Sequence, residues 1–153
     1  MFIRAMIATA FATAVLMLPG APLHAANATE SLAIKVYKTT TCGCCGLYVE
    51  YLQQHGAKVT VTTVAEMAPI HARYGVPPAM QSCHTAIVNN YVVEGHVQIG
   101  AIRKLVVGGK KIKGIALPGM PASSPGMGVM KPGTLTVYEI PAFGQTAKVF
   151  SVE

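Results

Sequence analysis

The chain has 153 residues, about one domain's worth, with 52% hydrophobic residues and a formal net charge of +6. Its one tight basic cluster, Lys104 with Lys110, Lys111 and Lys113, has no aromatic residue interleaved with it. That pattern argues against a nucleic-acid partner and for a solvated basic face, suited at most to an acidic partner or an anionic membrane surface.

The first element is a leader. Arg4 precedes an uncharged apolar run from Ala5 to Leu18, which Pro19, Gly20 and Pro22 break before the small residues of "HAANA". A charged start, a short apolar stretch and a small-residue exit predict a secretory signal peptide over residues 1–28, cut after Ala25 or Ala28. The run is shorter than the ~20 apolar residues of a membrane span, so no stable membrane insertion is expected after cleavage. Residues 29–153 are then one exported domain in the periplasm, an oxidising compartment where disulfides persist.

"LAIKVYK" (32–38) alternates and predicts a first strand. A cysteine loop, Cys42, Cys44 and Cys45, follows at once. From Gly46 to His55, the positions of Leu47, Tyr48, Tyr51 and Leu52 have helical spacing, and Gly56 is a natural stop. "KVTVTTV" (58–64) predicts a second strand. "PIHARYG" (69–75) fits a short helix with proline at its start and glycine past its end. Thr85–Val88 and Tyr91–Val97 read as a hairpin around Asn89-Asn90, and Ile99–Val107 as a third helix. A strand is expected near Ile112–Leu117. Residues 118–133 form a Met/Gly/Pro-rich loop, too long to be a plain connector. Residues 134–153 are expected to close the chain as a terminal β-hairpin.

The order β-α-β-α-β-β-α predicts an α/β, thioredoxin-like domain with a C-terminal β-rich extension. In that topology the thiols sit where the first strand hands over to the first helix, so helix-terminal N–H groups face sulfur and favour thiolate. The loop before the third strand, holding Pro77, Pro78, Cys83 and His84, should pack against that turn. The distant Cys83 would then join the other three thiols.

Three chemistries compete for Cys42, Cys44, Cys45 and Cys83. Two structural disulfides are the plainest use of an even count, but adjacent Cys44 and Cys45 suit it badly. A thiol-disulfide oxidoreductase would use Cys42 as nucleophile and Cys45 to resolve the mixed disulfide, leaving Cys44 without a role. A soft-metal site would use all four, since thiolates select Cu(I) and can bridge more than one ion. Zinc is the alternative metal, although structural zinc sites usually present two C-x-x-C knuckles. The spacing matches no common iron–sulfur pattern.

Histidines and methionines extend the candidate set. His84 adjoins Cys83, and His96 ends "VVEGH"; both are candidate ligands. His55 and His71 fall on helices and read as surface or core residues, and Glu94 has no visible acid–base partner. Met67 and Met80 read as core fillers. Met120, Met127 and Met130 have little apolar face to join in "GMPASSPGMGVM" and are candidate thioether ligands.

Three blocks, "CGCCG" (42–46), "VPPAMQSCHTAIVNNYVVEGHV" (76–97) and "GIALPGMPASSPGMG" (114–128), together resemble the CopG-type periplasmic copper-resistance proteins, formerly a domain of unknown function. The resemblance runs from about Ala33 to Val152. It implies a thioredoxin-like fold and a C-x-C-C site completed by a distant cysteine. It also implies Cu(I) sequestration or transfer, contributing to copper resistance or homeostasis, with thiol redox chemistry as an accompanying activity. Carried over, Cys42, Cys44, Cys45 and Cys83 are the metal-binding thiols; the reading leans to a binding protein and leaves open an enzyme, which would be a thiol/copper oxidoreductase. Other periplasmic copper-handling proteins or a copper efflux system are the expected partners. Gln98, where the family pattern has proline, and "VVGGKKIKG" (106–114) depart from it, which touches partner contacts more than the thiols.

Overall fold

The computed structural model describes residues 31–141 and 145–153; the expected leader lies outside them. The elements follow in the order β1 (Ala33–Thr39), α1 (Gly43–Gln54), β2 (Lys58–Val64), α2 (Ala68–Tyr74), a 3-10 turn (Pro78–Met80), β3 (His84–Val88), β4 (Tyr91–Glu94), α3 (Ile99–Gly108), β5 (Gly114–Ala116), β6 (Thr136–Glu139) and β7 (Val149–Val152). This is the expected β-α-β-α-β-β-α order with a β-rich extension.

All strands join one sheet in the order β2-β1-β3-β4-β5-β6-β7. β1 and β2 are parallel, as a helical crossover requires, and β3 runs antiparallel to β1. Asn89 and Asn90 turn the β3–β4 hairpin at φ 44° and 67°. Asparagine tolerates that left-handed backbone because its short side chain bonds locally. β5 returns parallel to β4, and β6 and β7 extend the sheet antiparallel.

Strand alternation divides the core between two faces. On one, Ile34, Val36, Ala86, Val88, Val93, Ile115 and Val137 pack with Tyr48 and Leu52 of α1 and with Ile102 and Leu105 of α3. On the other, Val92, Ala116 and Ile140 pack with Val76 and Met80, so the core expectation for Met80 holds. Each fully buried Leu or Ile contributes about 1.5–3 kcal/mol.

Two of the boundaries that move position the site. α1 begins at Gly43, with Cys42 as N-cap, so Cys44 and Cys45 lie in its first turn. β4 stops at Glu94 instead of Val97 because Gly95 turns left-handed, φ +77°, where a Cβ would lie 2.7 Å from the Leu117 carbonyl oxygen. His96 therefore leaves the sheet and faces the cysteine loop.

Candidate functional site

β1 delivers Cys42 to the N-terminus of α1, and the first turn of the helix carries Cys44 and Cys45. Cys83 arrives from the loop entering β3. The ligand atoms of Cys42, Cys44, Cys45 and Cys83 lie within 4.8 Å of one another. Cys44 Sγ is 3.6 Å from Cys42 Sγ and 4.0 Å from Cys83 Sγ. Cys42 and Cys45 are joined as a disulfide, and Cys44 and Cys83 are free thiols. The Cys45 sulfur also approaches the Cys83 carbonyl oxygen at 3.6 Å.

A second group overlaps the first, since Cys83, His84 and His96 also present ligand atoms within 4.8 Å of one another. Cys83 Sγ lies 3.5 Å from His84 Nδ1 and 3.4 Å from His96 Nε2. His96 Nδ1 is 2.7 Å from the Pro125 carbonyl oxygen. A carbonyl only accepts, so Nδ1 carries the hydrogen and, in the neutral ring, Nε2 offers its lone pair toward sulfur. Burial lowers the pKa of His96, opposed by that bond to Pro125, and so favours the neutral ring. His84 is fully buried against Tyr48, with ring centroids 4.5 Å apart. Burial, with a contribution from nearby His96, pushes its pKa down to about 3. Its Nε2 has no partner among the described residues, a state that costs about 1–3 kcal/mol. The Cys83 thiol is pushed up to about 11, first by burial and then by neighbouring Cys44. It is protonated at neutral pH.

Sequence reasoning missed what lies behind Cys83. His71 is a buried core residue, and Glu94 does have a titratable neighbour: His71 Nε2 sits 3.1 Å from Glu94 Oε1, in an alignment too poor for a hydrogen bond. The Glu94 carboxylate accepts hydrogen bonds from Ser82 N–H at 2.7 Å and from Thr85 Oγ1 at 2.6 Å. Burial raises its pKa to about 7 against those two bonds. The available signal was an acid in an inward-facing position of the otherwise apolar "YVVE". His55, by contrast, is exposed and stacks on Tyr51.

Met127 and Met130 line a hollow of about 410 Å³ with Leu47, Glu50, Tyr51 and Gln54, a lining that includes none of the cysteines. Met120 is exposed, at φ 44°. The loop reaches the thiol cluster through the Pro125 carbonyl on His96.

A strand-to-helix turn bearing a C-x-C-C cluster, faced by a thiol and two imidazoles from the β3 and β4 ends, defines a thioredoxin-like domain with a soft-donor site. Residues 80–127 match the family described as "Protein of unknown function, DUF411". Two solved structures of copper resistance protein CopG, Form 2 and Form 1, share 36% and 38% identity with this chain. Each has a TM-score of 0.71 and covers 81% of this chain, over 99% and 98% of its own length. The chain belongs to the CopG family of copper resistance proteins. No protein with a curated description matches it.

Proposed function

We propose that this chain is an exported, periplasmic copper-binding protein that sequesters or passes on Cu(I) through Cys42, Cys44, Cys45 and Cys83. The observation that carries the reading is the convergence of Cys83, 39 positions from Cys44, onto the trio at the N-terminus of α1. Soft sulfur donors hold Cu(I) in preference to hard cations, and clustered thiolates bridge ions, so the site suits more than one Cu(I), with zinc as the competing metal. His96 Nε2 extends the donor set, as does His84 Nδ1, and the relatives named for copper resistance support the cargo. Met120, Met127 and Met130 are the candidate thioether donors to the same ions, and other copper-handling proteins or an efflux system are the partners this cargo calls for. The leader at residues 1–28 accounts for export.

Loading is coupled to protons and electrons. An external dithiol gives the Cys42–Cys45 disulfide two electrons and two protons, so that two thiols form here and the donor becomes a disulfide. Cu(I) then displaces the thiol protons, including that of Cys83. Run in the other direction, two thiolates give one electron each to two Cu(II), forming the disulfide and two Cu(I). The joined pair also favours a second reading, a thiol-disulfide oxidoreductase with Cys42 attacking and Cys45 resolving.

Anaerobic titration of the reduced protein with Cu(I), counting bound copper and alkylatable thiols, tests the proposal. All four thiols should become protected as copper binds, zinc should not displace it, and Cys83→Ser should weaken binding by about tenfold or more, the scale of one lost ligand. Turnover of a model protein disulfide with no copper uptake would replace the copper reading with the second one.

A further inference from the structure

The thiol-bearing loop before β3 is held from the far side of the sheet. Glu94 and Thr85 are cross-strand partners at the β3–β4 register. Their side chains lie on the same face as Val92, opposite Val93 and the α1 face. From there the Glu94 carboxylate receives Ser82 N–H on one oxygen and the Thr85 hydroxyl on the other. These donors flank the dipeptide Cys83-His84, which supplies one of the four thiols and one of the imidazoles. Gly95 N–H closes the third side, donating to the His84 carbonyl oxygen at 3.1 Å. The carboxylate is fully buried, so no water competes for its oxygens.

We propose that Glu94 is the positioning residue of the copper site: its carboxylate brackets Cys83 and His84 through Ser82 N–H and Thr85 Oγ1 and so sets the reach of the Cys83 sulfur toward Cys44. Its consequence for copper rests on the Cu(I) reading above; its consequence for the Cys83 thiol does not. The geometry explains an otherwise costly choice. A carboxylate in an apolar strand pair is costly to desolvate unless its hydrogen bonds are made. Two donors to a charged or shared-proton acceptor offset that cost. An amide of the same shape retains both contacts, because its oxygen accepts from Ser82 while the Thr85 hydroxyl rotates to accept from its NH2 group. A leucine fills the volume and makes neither.

The test compares wild type, Glu94→Gln and Glu94→Leu in the full, reduced protein. The first readout is the alkylation rate of Cys83 against Cys44 in metal-free protein, resolved by peptide mass spectrometry. The second is Cu(I) retention against a competing chelator. Glu94→Leu should alkylate at Cys83 about tenfold faster and release Cu(I) about tenfold more readily, about threefold for each of the two hydrogen bonds it removes. Glu94→Gln should stay within about threefold of wild type on both, since it keeps the two contacts. Wild-type Cys83 reactivity in Glu94→Leu, or a Gln variant as perturbed as the Leu variant, overturns the proposal. If Glu94→Leu does not fold, Thr85→Val removes one arm alone. It should speed Cys83 alkylation about threefold, and an unchanged rate overturns the bracket. Wild type that takes up no Cu(I) fails the copper reading and leaves the bracket to be judged on alkylation alone.

Discussion

Cys83 shows how one side chain acquires its properties from chain segments that are far apart. Its thiol is kept protonated at neutral pH by burial and by the Cys44 sulfur, yet an unprotonated His96 nitrogen waits 3.4 Å away. The Pro125 carbonyl sets that tautomer, so a loop residue decides which face of an imidazole meets sulfur. His71 makes a separate prediction at this scale. Burial, the largest cause, lowers its pKa from the usual 6.5, partly opposed by the nearby Ser82 backbone and Gln81 side chain. A group whose folded pKa is depressed contributes stability that is present above its ordinary pKa and lost as pH falls below it. Urea unfolding of the oxidised, metal-free protein at pH 7.5 and pH 5 should therefore show wild type losing more stability over that interval than His71→Gln. Equal losses would mean that His71 titrates normally. Glu94, the carboxylate facing it, is present in both proteins, so its own titration largely cancels in the comparison.

At the scale of elements, the loop between β5 and β6 behaves as a strap across the start of α1. Ser124 and Met127 turn it back on itself through bonds to the Pro121 and Ser124 carbonyls. Gly126 then crosses the helix at φ +76°, where a Cβ would lie 2.7 Å from Tyr48 N. Neither the backbone conformation nor the space admits a side chain. Gly126→Ala should lower the thermal midpoint by about 5 °C or more, the scale of 1 kcal/mol in a domain this size. Gly46→Ala, with nothing within 4 Å of a Cβ, should leave it unchanged or raise it. A differential scan of the three proteins decides the matter. Much of this level was legible beforehand. The β2 boundaries match the alternating run at 58–64, and Asn89-Asn90 marks the hairpin. The start of α1 was not, because "CGCCG" has no helical periodicity of its own and is drawn into the first turn by the packing around it.

The whole molecule depends on one uninterrupted sheet. β6 and β7 extend the thioredoxin-like strand order through β5, and Leu135 and Val137 are fully buried in the main core. Two such side chains are worth roughly 3–6 kcal/mol, a large fraction of the ~5–15 kcal/mol that holds a domain together. A chain ending at Lys131 should lose its cooperative melting transition, and retention of the wild-type transition by calorimetry would show the extension to be dispensable.

What the sequence by itself determined was local: element order, turn positions, and the gathering of three thiols where a strand gives way to a helix. These follow from side-chain periodicity and from backbone sterics at Gly and Asn, which act over a few residues. Topology also foretold that Cys83 would return to the trio. Only the tertiary structure decided that Pro125 would set the His96 tautomer, that Glu94 would bracket the Cys83 loop beside His71, and that Met127 and Met130 would line a hollow beside α1. Those contacts join residues far apart in the chain. Their geometry is fixed by how two faces of a sheet fill with side chains, which no short-range pattern encodes.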